Sequence, residues 1–208
     1  MASCPLCSSR PAKRFCPAKH EKICATCCGA KREVEIDCPG SCPHLKAGRS
    51  YESEKRAFDP ELAAQALEYS QGFTSRYGAV IDALVDAVMN ERAASPWMLD
   101  TDVLEVYKAL SATMKTLSTG IYYETLPEGS VRLSLYRRLR SVLDEFMRPS
   151  LEIDHDALKA SEAVDVLGFM KFTATAKSNP RPKSRQYLDW LSEATGVHND
   201  SPSRLIAP

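Results

Sequence analysis

The chain has 208 residues, of which 44 % are apolar and 26 % charged, and its 27 basic residues balance 27 acidic ones. This is the composition of a globular protein, long enough for one medium domain or for a small domain joined to an ordinary one. No run approaches the roughly 18 apolar residues of a membrane-crossing helix, and the start, MASCPLCSSRPAKRF, lacks the apolar core of an export signal. The expected location is therefore the cytoplasm, where thiols stay reduced and disulfides are disfavoured.

All eight cysteines lie within the first 42 residues, as Cys4 with Cys7, Cys16, Cys24 with Cys27 and Cys28, and Cys38 with Cys42. Cys16 stands four residues before His20, and His44 follows Cys42 closely. Residues 1–48 also carry five prolines and three glycines and few large apolar side chains. Such a stretch cannot build long helices or an adequate hydrophobic interior, and small domains of this kind are held by a staple. Close ligand pairs separated by longer spacers suit a tetrahedral metal ion, because one short turn supplies two thiolates and a distant turn two more. Ten side chains are available, and two zinc ions need eight. In linear order the pairs are Cys4/Cys7, Cys16/His20, Cys24/Cys27 and Cys38/Cys42. Either consecutive pairs share an ion, or alternate pairs do. The spacers from first to third pair and from second to fourth are alike, at 16 and 17 residues. Interleaving would tie the whole segment into one unit, so it is the preferred arrangement. The competing readings are buried small hydrophobes, a redox pair, or an iron–sulfur cluster. An excess of ligands, mostly thiolates, without HExxH or an HxE and PCxxC combination, speaks for structural rather than catalytic metal.

CPLC, KRFCPAKH, ICATCC and CPGSC together resemble the cross-brace treble-clef zinc modules, above all the HIT-type finger and the B-box. The likeness covers residues 4–42. It implies that Cys4, Cys7, Cys24 and Cys27 hold one zinc ion and Cys16, His20, Cys38 and Cys42 a second. Cys28 is surplus and can replace Cys27, and His44 can replace Cys42. The second pair, Cys-x3-His, is wider than the HIT type uses. Members of these families mostly serve protein–protein contacts. The whole chain resembles bacterial-type proteins, a likeness that names no activity.

Residues 1–56 hold 11 basic against 6 acidic side chains, a formal +5, and the rest of the chain carries −5. Seven thiolates and two divalent ions would bring the head to about +2, a modest basic balance. Lys13, Arg14, Lys31 and Arg32 flank the cysteines and are candidate nucleic-acid contacts, as are Arg132, Arg137, Arg138 and Arg140 further on.

Residues 49–58 read as a hinge or a short helix. From Asp59-Pro60 a helical repeat begins, with Leu62, Ala66, Tyr69, Phe73, Tyr77, Val80, Leu84 and Val88 at spacings of three and four, and Ser95-Pro96 ends it. Gly72 and Gly78 mark a bend or a close contact. A second helix is expected over about 101–118, with Asp102 and Glu105 as its capping pair and Gly120 closing it. Residues 121–127 form an extended connection whose Tyr122 and Tyr123 pack on the core. A third helix covers about 130–147 and a fourth about 156–177, with Ala160, Val164, Leu167, Met170 and Ala174 inward. A fifth runs to Gly196, and 197–208 are a frayed tail. Trp97 is expected to cap the bundle.

The expected fold is mainly α: a two-zinc cross-brace module with little regular structure over 1–48, then an all-α bundle of about five helices over 59–196. The expected function is that of a non-catalytic zinc-stabilised adaptor with a protein partner, which includes a second copy of the chain. The alternative is RNA or DNA binding through the basic residues above. An enzyme with its site near Tyr122, Tyr123 and Arg132 is the third and least supported reading.

Overall fold

The computed structural model describes residues 2–55, 60–149 and 157–196, and of 54, 55 and 60–69 the backbone only. It is mostly helical, with seven helices and one small sheet among the described residues. In chain order these are β1 (Arg14–Cys16), β2 (Glu21–Ile23), α1 (Ala25–Lys31), α2 (Pro43–Lys55), α3 (Pro60–Ala94), α4 (Asp100–Ser118), α5 (Ser130–Phe146), α6 (Ala160–Lys177) and α7 (Gln186–Thr195). The chain divides into two compact units. The first comprises Met1–Ser70 with Pro180–Ser184, and the second Gln71–Asn179 with Arg185–Pro208.

In the first unit β1 and β2 form an antiparallel hairpin, with Arg14 opposite Ile23 and Cys16 opposite Glu21. Its turn ends at His20, which holds a left-handed φ of 54°. The hairpin was not legible in advance, and neither was the length of α2. Residues 49–55, read as hinge or short helix, are the second half of α2, while 56–59 lie outside the described residues. Gly48 gives α2 room for the buried Arg32, since a Cβ there would fall 1.5 Å from Arg32 Nη1. The interior of this unit is small: Cys4, Cys16, Ile23, Cys24, Cys27 and Ile36 are buried together. Glu33, 1 % exposed and at a left-handed φ of 53°, accepts from Arg49 Nη2 at 2.6 Å. Arg181 donates to Glu52 at 2.6 and 3.1 Å and approaches Glu33 at 3.5 Å. The Lys183 backbone N–H donates to the Glu33 carbonyl at 2.8 Å, and its Nζ to the Glu35 carbonyl. A carboxylate so fully removed from water needs these partners, because an uncompensated buried charge is strongly destabilising.

The second unit is a helical bundle around α4, which packs against α5, α6 and α7. Neighbours on several sides explain why α4 is buried over a wide arc, from Val103, Val106 and Tyr107 to Leu110, Thr113 and Met114. α3 contributes Val80, Leu84 and Val88 to the same core, as its periodicity requires. Leu62, Ala66 and Tyr69 of that stripe have side chains outside the described residues. α3 bends at Tyr77, whose φ of −114° and ψ of 15° leave the helical region, beside Gly78. No heavy atom lies within 4 Å of a Cβ built at Gly72 or Gly78, so the bend and not a close contact accounts for the second glycine. Ion pairs join α3 to its neighbours: Glu91, 2 % exposed, accepts from Arg138 Nε and the Ser134 hydroxyl, and Arg92 pairs with Asp189.

Several helix ends have chemical causes. The Asp102 carboxylate accepts the Leu99 N–H at 2.9 Å, so the cap of α4 lies three residues before the expected Asp102–Glu105 pair. At the far end the Gly120 N–H bonds the Leu117 carbonyl and the Ile121 N–H the Thr116 carbonyl, with Gly120 at a φ of 81°. That double return is the Schellman ending, and its left-handed position strains any residue with a Cβ. α6 begins at Ala160, later than expected; residues 157–159 precede it without helical structure and 151–156 lie outside the described residues. Its buried face is Ala163, Val166, Leu167, Met170 and Ala174, with Ala160 and Val164 only half-buried.

The connection 121–127 corrects a further expectation. Its backbone is pinned to α4, the Thr125 N–H donating to Thr113 Oγ1 and Thr116 Oγ1 donating to the Tyr123 carbonyl. Tyr122 and Tyr123 nevertheless point outward, 72 % and 65 % exposed. Trp97 is exposed as well. Among the described residues no helix is long and apolar enough to cross a membrane. The tail 197–208 lies outside the described residues.

Candidate metal centre

Cys4 and Cys7 sit on a tight loop closed by the Cys4 N–H to the Arg10 carbonyl at 2.8 Å and by the Ser8 N–H to the Cys4 carbonyl at 2.7 Å. Cys24 and Cys27 sit at the start of α1, where Cys24 is the N-cap and its sulfur accepts the Cys27 N–H at 3.3 Å. The hairpin between these two turns returns the chain so that the first and third cysteine pairs meet. The four sulfur atoms lie within 4.8 Å of one another. Cys7 Sγ and Cys24 Sγ are 3.9 Å apart, and the Cys24 N–H donates to Cys4 Sγ at 3.2 Å. Metal–sulfur bonds of about 2.3 Å at tetrahedral angles place sulfurs about 3.8 Å apart, so the spacing fits a four-thiolate ion such as zinc.

The electrostatics of the cluster lead the same way. Hydrogen bonds from the Ser9 hydroxyl and N–H hold the Cys7 thiol down at about 6. Burial alone would raise Cys4, but N–H groups of Cys24, Leu6 and Cys7 leave it lowered. Cys27 is pushed up to about 12, first by its contact with the Cys24 sulfur and then by burial and by Cys7. Four sulfurs this close cannot all be anions on their own, and a divalent cation removes the conflict.

The other expected ligands are arranged more loosely. Cys16 ends β1 and is buried, Cys42 is buried just before α2, and Cys38 is half-buried between them in sequence. Burial pushes the Cys38 thiol up, and the neighbouring Cys42 and Cys16 add to it, so both lie within electrostatic reach of Cys38. His20 is exposed in the hairpin turn, His44 is half-buried in α2, and Cys28 packs at the edge of the cysteine core. Among the described residues the first and third pairs form the one tight cluster of ligand atoms.

Of the candidate nucleic-acid contacts, Arg32 is only 8 % exposed, Lys31 pairs with Glu35, and Arg138 pairs with buried Glu91. Lys13 and Arg137 are exposed and Arg14 half-buried. Sequence reasoning passed over Asp100, whose carboxylate accepts the Ser178 hydroxyl at 2.7 Å and the Tyr187 and Leu188 N–H groups at 3.1 and 3.2 Å. It passed over Arg148 too, whose helical spacing with Arg137 was a usable signal, while Arg132 and Arg140, named as phosphate candidates, pair with Asp102 and Asp144.

The fold and site define a protein of two compact units, one with a four-cysteine cluster of metal-binding geometry and the other helical. Set against known protein families, curated proteins and solved structures, the chain matches none.

Proposed function

We propose that the chain is a non-catalytic adaptor whose N-terminal unit is held by structural zinc and offers a surface to a protein partner. The observation that carries this reading is the makeup of that unit's interior, where four of the six clustered buried residues are cysteines. A metal ion there takes the place of a hydrophobic core. Four thiolates close the coordination sphere and leave no position for a reactive water, which favours a structural over an enzymatic role. The meeting of the first and third pairs supports interleaved, cross-brace pairing, and the order of knuckle, hairpin and helix supports a treble-clef type. A second zinc ion would then belong to Cys16, Cys38 and Cys42, with His20 or His44 as fourth ligand. Exposed Phe15, Val34 and Tyr51 give the unit apolar contact points for a partner, while several of its basic side chains are engaged internally. A cytoplasmic setting follows from the need to keep these thiols reduced.

The test is elemental analysis of protein purified without added metal, together with Cys24→Ser. Two zinc ions per chain are expected, falling by one in the variant. A brown, iron-containing preparation or sulfurs found in disulfides would sink the proposal. Strong retention on nucleic acid at low salt that falls steeply as salt rises would replace it with the nucleic-acid reading.

A further inference from the structure

The second unit carries a polar cleft that the metal centre does not explain. It has a volume of about 300 Å³ and runs along one flank of α5 beside the 121–127 connection. Arg137 and Arg140 share that flank, and Arg148 continues the line beyond the helix end. Arg140 Nε donates to both oxygens of Asp144, at 2.9 and 3.0 Å. Its Nη1 is buried with no hydrogen-bond partner. Arg137 and Arg148 have no acidic partner among the described residues. Leu126 and Leu133 give the cleft an apolar portion.

A buried guanidinium N–H without an acceptor is costly, and three arginines gathered on one cleft, two of them in no ion pair among the described residues, attract an anion. We propose that this cleft binds the oxyanion head of a small organic acid, a phosphate monoester or a carboxylate, with the apolar body of the ligand against Leu126 and Leu133. Arg137 and Arg148, both exposed, would pair with that head, and a shift of the Arg140 side chain would bring Nη1, which solvent does not reach in the empty cleft, to the same acceptor. The volume is at the lower end for small-molecule sites, which suits a compact ligand. Glu124 and Asp144 on the same walls leave the cleft a net charge of only one, which disfavours an extended polyanion.

The full-length protein is titrated calorimetrically with phenyl phosphate, benzoate, inorganic phosphate and, as a neutral control, benzyl alcohol. Saturable binding of one aromatic anion per chain is expected, at least about tenfold tighter than inorganic phosphate and not shared by the alcohol; the tighter of the two anions identifies the head group. Arg137→Gln combined with Arg148→Gln, both at exposed positions, should weaken it by at least about tenfold while the thermal melt stays unchanged. Absence of saturable binding at millimolar concentration, or equal binding by the double variant, would overturn the proposal. So would displacement of the aromatic anion by a short oligonucleotide with a steep salt dependence, which would assign the cleft to a polyanion.

Discussion

Asp100 lies in the first turn of α4, yet its carboxylate serves a different helix. It accepts the N–H groups of Tyr187 and Leu188, the first-turn donors of α7 that have no intrahelical acceptor, and the hydroxyl of Ser178. A single acid from 86 residues earlier thus caps α7. Asp100→Ala leaves two buried N–H groups without acceptors and should cost about 2–4 kcal/mol, whereas Asp100→Asn keeps one acceptor and should cost less. Urea unfolding of both variants measures the difference. Nearby, the Tyr107 and Tyr187 hydroxyls meet at 3.2 Å inside the core. Burial raises both, Tyr187 to about 12 with the Asp100 charge contributing, and Tyr107 well above its ordinary value. The folded state therefore favours the protonated phenols relative to an unfolded chain, where they ionise near about 10. Their contribution is fully present below that pH and is lost as pH rises from 10 towards 12. Helix loss and the ionisation of Tyr107 and Tyr187, followed by their own ring signals, should occur together over that interval; phenolate formation at these two before any helix is lost would contradict it.

Among the elements, α4 has the most to lose from a cavity. Leu110 is fully buried at the middle of its length, with α5, α6 and α7 around it. Leu110→Ala should cost about 2–5 kcal/mol in urea unfolding, against a smaller loss for Leu104→Ala on the half-buried edge. The helices of this unit were legible because they bury stripes at spacings of three and four and most end at a chemical stop, Pro96, Gly120, Pro180 or Gly196. The start of α6 was not, since an apolar pattern says nothing of where the first hydrogen-bonded turn closes. Tyr122 and Tyr123 were read inward because aromatics usually are. Their side chains face out because the two threonines of α4 fix the backbone of that connection. The β1–β2 hairpin escaped notice for another reason: three-residue strands, RFC and EKI, are too short to display alternation.

On the scale of the whole molecule, the paired cysteines were the clearest signal in the chain, because ligand spacing is a local property that needs no knowledge of the fold. Which pairs meet depends on the hairpin, and so became visible only in three dimensions. On the proposed reading the two units draw their stability from different sources, a metal held by the four-cysteine cluster in one and a packed apolar core in the other. Chelation should therefore abolish the dispersed amide signals of residues 2–55 while most helical circular dichroism remains; simultaneous collapse of both would show one cooperative body. The loop 180–184 adds a constraint. A polypeptide cut after Ser70 keeps every cysteine but omits Arg181 and Lys183, and thus the clamp on Glu33 and Glu52. No single scission can liberate the amino-terminal unit intact, and such a fragment should melt below the same residues in the full chain. Supplying the missing pentapeptide covalently, through a short engineered bridge, should restore it.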